Sequence, residues 1–149
     1  MQDASYDSLV ATERIDLLAA LAPLTRALRK VEDDAAAAAG ITMWQYAILA
    51  VVVDAPGLNQ GEVATRLGYS KNRIVADLDL LEQRKLLTRT PGPDRRANLL
   101  RATAAGRRLM QQIRAGIRRG EDDLLRNLPA EQRAALSSAT RTITQGIRS

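Results

Sequence analysis

The sequence predicts a mainly α protein carrying one small β-hairpin wing, and three observations carry that expectation. Apolar residues recur at a helical period through most of the 149-residue chain. One stretch, Leu86 to Ala102, folds back on itself at Pro91-Gly92-Pro93-Asp94. Just before it, two short helices are separated only by Gly68-Tyr69, where Gly68 supplies the positive φ that a tight helix-to-helix turn needs. Helix, turn, helix and hairpin between Leu58 and Thr103 form a winged helix-turn-helix layout, with N- and C-terminal helices on either side.

Taken in order, residues near Ser5 to Ala39 form a long amphipathic helix. Leu17, Leu21, Leu24, Leu28, Val31 and Ala35 line one face at spacings of 4 and 3, and Gly40 closes the helix. Pro23 falls inside this seam, so a kink or break is expected near Leu18 to Ala22. The acidic run Glu32-Asp33-Asp34 reads as a solvated face. A second helix opens at Thr42 with Gln45 three residues on, a reciprocal cap, and runs to Asp54 before Pro56-Gly57. Asn59 and Glu62 make a similar cap for the third helix, whose apolar face is Val63, Ala64 and Leu67. Ser70 caps the fourth, in which Ile74, Leu78 and Leu81 face the core with Leu80 and Leu86 beside them. Beyond the hairpin, Thr103 caps a long helix from Ala104 to about Arg126, striped by Leu109, Ile113 and Ile117. Its other face, Arg107, Arg108, Arg114, Arg118 and Arg119, reads as solvated surface, with Arg107 and Arg108 near enough to the wing to reach flanking phosphates. Pro129 opens the last helix, with Leu136, Ile143 and Ile147 on its apolar side.

The candidate site residues cluster in the winged segment. Ser70, Lys71, Asn72 and Arg73 occupy the first turn of the fourth helix, the part of a recognition helix that meets base edges. Asn pairs bidentately with adenine and Arg with guanine in the major groove. Arg89, Arg95, Arg96 and Arg101 add a basic cluster around the hairpin tip, suited to a minor groove. Met43, Trp44 and Tyr46 have two readings, the wall of a small-molecule pocket or ordinary core packing.

Composition narrows the chemistry. The chain has no Cys and no His, which excludes thiol nucleophiles, disulfides, thiol redox switches, His general bases and Cys/His zinc sites. No cofactor and no metal are expected, and no phosphate-binding glycine loop supports an enzyme. The net charge of +5 is segregated: residues 1–58 sum to −4 and residues 59–149 to +9. Positive charge begins where the helix-turn-helix begins, as nucleic-acid binding through phosphates requires. No apolar run reaches the roughly 18–20 residues of a membrane span, and the N-terminus is polar and acidic, so no membrane partner and a cytoplasmic location are expected.

The runs Leu67 to Val75, Leu81 to Arg89, Asp94-Arg95-Arg96-Ala97 and Leu100 to Arg107 resemble the MarR family of bacterial transcriptional regulators. The most specific piece is Asp-x-Arg-Ala, here Asp94, Arg96 and Ala97, followed by a leucine-rich strand and a Thr-x-x-Gly helix start. The resemblance implies that Asp94 braces the wing through an ion pair and that Arg96, with Arg95, enters the minor groove. It also implies a single domain over residues 1–149. Residues 1–40 and 104–149 would then form the helical dimerisation region, and residues 41–103 the DNA-binding region. Lys85 stands where the family usually has Gly, so another backbone shape is expected at that helix end. Asp77 stands where an apolar residue is usual, which leaves the rotation of the recognition helix open.

The terminal seams cannot be covered by so small a domain, and a second copy is the economical cover. Two-fold symmetry then calls for a near-palindromic operator on double-stranded DNA. The function expected is a homodimeric, sequence-specific transcriptional regulator, a repressor by family habit, released by a small-molecule effector. Two alternatives stand beside it: a winged-helix interaction module for an acidic protein partner, and a DNA-binding regulator with no ligand response.

Overall fold

The computed structural model describes residues 16–94 and 97–147. Six helices and one hairpin follow in the order α1 (Leu17–Ala38), α2 (Met43–Asp54), α3 (Gln60–Leu67), α4 (Lys71–Gln83), β1 (Leu87–Pro91), β2 (Asn98–Ala102), α5 (Ala104–Leu124) and α6 (Ala130–Ile147). The fold is mainly α with a two-stranded antiparallel wing, as the sequence predicts.

The most apolar helix, α2, lies at the centre, because a helix apolar all round must be covered all round. It contacts α1, α3, α4, α5 and β2, and buries Ile48, Leu49 and Val52 completely. Around it close Val63 of α3, Ile74, Leu78 and Leu81 of α4, Leu87 and Leu100 of the strands, and Met110 and Ile113 of α5. Leu86 joins this core, whereas Leu80, expected beside it, is 48% exposed. One residue before the inward-facing Leu81, Leu80 is rotated 100° off the buried stripe.

Both reciprocal caps form: Thr42 with Gln45, and Asn59 with Glu62. Ser70 occupies the N-cap position of α4, but its side chain makes no capping hydrogen bond. Pro23 does not break α1, which continues through it as a single helix. The carbonyl that loses its partner belongs to the exposed Ala19, where water can serve instead. The proposed helix start at Ser5 and its first residues lie outside the described part of the chain.

The acidic run divides between two environments. Asp34 pairs with Lys30, but Glu32 is half-buried near Glu121 of α5, so the run is not one solvated face. Burial first, and Glu121 and Asp33 next, hold the Glu32 carboxyl above its usual value. Arg114, read as solvated, instead places one guanidinium nitrogen 3.1 Å from both oxygens of Asp54, tying α5 to α2.

Three helix ends share one device. After α1, α3 and α4 the chain enters the left-handed region at Gly40, Gly68 and Lys85, with φ of 75°, 60° and 57°. The following amide then bonds back to a carbonyl in the last turn: Ile41 to Ala36, Tyr69 to Ala64, Leu86 to Leu81. The departure at Lys85 therefore leaves the backbone shape unchanged, contrary to expectation. The lysine adopts the glycine conformation, at a cost of about 1–2 kcal/mol for an L-residue.

Parts of the described terminal helices remain uncovered. Leu17, Leu18 and Leu21 of α1, Leu124 of α5, and Ile143 and Ile147 of α6 are exposed, and α6 buries none of its residues. No single described helix is long and apolar enough to cross a membrane.

Candidate nucleic-acid interface

The helix-turn-helix is built on α3 and α4, joined through Gly68 and locked by the amide of Tyr69 bonding the Ala64 carbonyl. With Ile74, Leu78 and Leu81 buried, the opposite side of α4 faces solvent. Asn72 and Arg73 project off the buried stripe, and Lys71, in line with Ile74, is exposed because it opens the helix, with Ser70 beside it. The structure thus gathers four sequence-selected residues at the one end of α4 that can enter a groove.

One residue that sequence reading missed, Arg66, belongs to this surface. Arg66, in the last turn of α3, and Lys71 line an open cleft of about 430 Å³ with Asn59, Gly61 and Thr65. A smaller cleft of about 270 Å³ separates the start of α3 from the wing, between Gln60 and Asn98. The signal for Arg66 was its position two residues beyond the buried Ala64, about 200° around α3, which turns it outward in the last turn.

The wing is a short antiparallel ladder from Leu87↔Ala102 to Pro91↔Asn98. Its base is anchored by the 57–59 segment, where the Gly57 amide bonds the Leu100 carbonyl and the Leu100 amide bonds the Leu58 carbonyl. At the tip, the Gly92 amide bonds the Ala97 carbonyl and the Ala97 amide bonds the Asp94 carbonyl. Asp94 is exposed at this turn. Arg95 and Arg96 lie outside the described residues, so the Asp94 brace and the two groove contacts stay expectations.

Arg89 is the one candidate the structure assigns to another task. Its side chain is 17% exposed and pairs with Asp79 and Glu82, both on α4. The Nε lies 3.0 Å from the Glu82 carboxylate without hydrogen-bond alignment, while Nη2 donates to Asp79. Strand alternation explains the correction: Leu87 and Arg89 share the inward side, and Thr88 and Thr90 the outward one. Through these two carboxylates Arg89 fastens the wing to the recognition helix. Arg101 is exposed on the outward side, opposite Thr88.

The remaining candidates, Met43, Trp44 and Tyr46, do not share one wall. Two residues apart on α2, Trp44 and Tyr46 project about 200° apart. Trp44 stacks on Tyr69 with ring centroids 4.4 Å apart and planes at 21°. Tyr46 is half-buried on the side of Glu32 and Arg114, and burial raises its phenol above the ordinary value, with Glu32 adding to the rise and Arg114 opposing it. Met43 is half-buried. Asp77 is held from two sides: its carboxylate accepts a 2.6 Å hydrogen bond from the Tyr69 hydroxyl and a 3.1 Å bond from the Gln45 amide. A polar residue at this position thus finds partners, and the rotation left open by the sequence is the one that buries Ile74, Leu78 and Leu81, with Asp77 half-buried at the edge of that face.

Where α5 begins, the Thr103 hydroxyl accepts from the Gly106 amide and donates to the Lys85 and Leu86 carbonyls. Gly106 passes so near the Leu86 backbone that a Cβ there would stand 2.0 Å from the Leu86 carbonyl oxygen. The Thr-x-x-Gly pattern is therefore the contact that seats the wing on α5.

Helix-turn-helix, basic first turn and hairpin together define a winged helix-turn-helix protein. Residues 39–97 match the MarR family model. A putative transcriptional regulatory protein for the hcr operon of Thauera aromatica is 30% identical over 98 residues; the match spans 65% of this chain and 59% of that protein. The repressor CouR bound to a 23-mer DNA duplex is 33% identical, covers 87% of this chain and 92% of its own, and superposes with a TM-score of 0.70. CouR of Rhodococcus jostii RHA1 bound to p-coumaroyl-CoA covers 86% and 91%, at 28% identity and a TM-score of 0.67. The MarR of E. coli, 21% identical over 88% of this chain and 98% of its own, shares the fold with a TM-score of 0.81. The chain belongs to the MarR family of transcriptional regulators.

Proposed function

We propose that this protein is a cytoplasmic homodimer that binds a near-palindromic operator in double-stranded DNA and acts as a repressor released by a small-molecule effector. The observation that carries the reading is the cluster Lys71, Asn72 and Arg73, exposed together in the first turn of α4 over a buried apolar face. Ser70 adds a hydroxyl to the same turn, and Arg95 and Arg96 supply the minor-groove contact from a wing tip braced by Asp94. Residues 1–40 and 104–149 form the dimerisation region; the exposed Leu17, Leu21, Ile143 and Ile147 support it, because apolar faces of this kind are stabilised by a second copy. Residues 41–103 are the DNA-binding region.

The likeness to a repressor seen with DNA and with an acyl-CoA thioester supports the DNA and effector parts of the reading. Among the candidate pocket residues Tyr46 carries the effector role best, since it is half-buried on the side of α2 that meets Glu32 of α1 and Arg114 of α5. Release requires an effector that binds the two dimer conformations with different affinity.

The deciding experiment is selection of bound DNA from a random pool by the purified protein at near-physiological salt. Recovery of one near-palindromic motif, with affinity falling about 10³- to 10⁵-fold between 50 and 200 mM salt, is the expected result. An unenriched pool from folded, dimeric protein would refute it and favour an acidic protein partner.

A further inference from the structure

The recognition helix carries three carboxylates, Asp77, Asp79 and Glu82, on the same element as Lys71 and Arg73. Left to themselves, such acids compete with phosphate for the basic side chains. Arg73 and Asp77 are four residues apart, one turn along α4, where opposite charges ordinarily meet. Yet no ion pair joins them among the described residues. Asp79 and Glu82 are taken by Arg89 of the wing. Asp77 is taken by Tyr69 and Gln45.

Both donors to Asp77 are themselves fixed. The Tyr69 ring is stacked on Trp44. Gln45 is the one polar side chain among the described buried residues, and its carbonyl oxygen accepts from the Thr42 amide. Fixed donors hold an acceptor at less entropic cost than mobile ones. We propose that Tyr69 and Gln45 are positioning residues for DNA recognition: they hold the Asp77 carboxylate turned away from Arg73, which leaves the Arg73 guanidinium to meet the DNA. The inference rests on the DNA-binding reading above and concerns how the reading head is kept available.

The test is a double-mutant cycle on the full-length protein, with operator affinity measured by fluorescence anisotropy at fixed salt. Y69F keeps the ring on Trp44 and removes only the hydroxyl, so the emission of this single Trp verifies that the stack survives. In Y69F the released carboxylate oxygen pairs with Arg73, and operator affinity falls about two- to fivefold, the reach of a surface ion pair. The loss disappears in an R73A background, and D77N restores binding in the Y69F background because the competing charge is gone. A merely structural role would lower affinity by the same factor with or without Arg73, and that additivity would overturn the proposal. So would a Y69F protein that binds the operator as tightly as the parent. If Y69F does not fold, Q45L carries the same cycle through the other hydrogen bond. A parent protein that selects no DNA sequence would instead overturn the function, and this inference with it.

Discussion

Replacing Arg89 by Gln separates its two possible roles, DNA contact and wing fastener. The guanidinium faces Asp79 and Glu82, whose side chains are 61% and 43% exposed, so each pair is partly screened by solvent. At about 0.2–1 kcal/mol for each such pair, with a further contribution from the packed aliphatic stem, the substitution costs about 1–2 kcal/mol. For a chain of this length that lowers Tm by about 2–8 °C. The comparison is made at one protein concentration, because the proposed dimerisation would make Tm concentration-dependent. Operator affinity is then followed across a salt series. A fastener leaves the slope of log affinity against log salt unchanged, whereas a lost phosphate contact reduces it by about 0.9. An Arg89→Gln protein of parental Tm whose salt slope is shallower by about one would refute the ion-pair assignment.

Lys85→Gly retains the backbone bonds after α4 and relieves the left-handed strain; after the greater freedom of glycine in the unfolded chain is offset, a gain of about 0.5–1 kcal/mol is expected in denaturant unfolding. An unchanged or lower midpoint would contradict the strain at φ 57°. Gly106→Ala should destabilise by about 3 kcal/mol or more despite a helix-propensity gain of about 1, because the new Cβ meets backbone at Leu86 rather than a movable side chain. A soluble variant of parental stability would show that α5 can shift without cost. Glu32 has a raised carboxyl pKa, so the fold favours its neutral form. That contribution is complete below the ordinary value of 4.5 and is lost as pH rises through the folded value. Glu32→Gln should therefore be more stable than the parent near neutral pH, with the difference shrinking in acid, and equal midpoints at both pH values would reject the burial of that charge.

Most of the architecture was legible because it is written in local signals. Thr42-x-x-Gln45 and Asn59-x-x-Glu62 satisfy backbone donors within one turn, so sequence suffices to place them. The spacing of Ile74, Leu78 and Leu81 likewise told which side of α4 is buried and left Asn72 and Arg73 off it, while Lys71 is exposed through its place at the helix start. The failures concern partners distant in sequence. Arg89 looks like any wing arginine until strand alternation turns it toward Asp79 and Glu82. Arg114 and Glu32 seemed to be solvated charges because nothing local announces Asp54 or Glu121 across a helix interface. Trp44 and Tyr46 were grouped by chemistry, although their separation of two residues already assigns them to different faces of α2. At Lys85 the error ran the other way: sequence preference suggested a changed backbone, but the bonds made by Leu86 and Thr103 outweigh the preference of one residue.

The bridge from Arg89 to α4 means that hairpin and recognition helix travel as one tool. A ligand cannot retract the wing and leave the helix in its groove without breaking two ion pairs. In the proposed dimer the adjustable quantity is instead the distance between two such tools. Variants with altered tolerance for the spacing between half-sites should then map to α1, α5 and α6, and variants with altered base preference within each half-site to the first turn of α4.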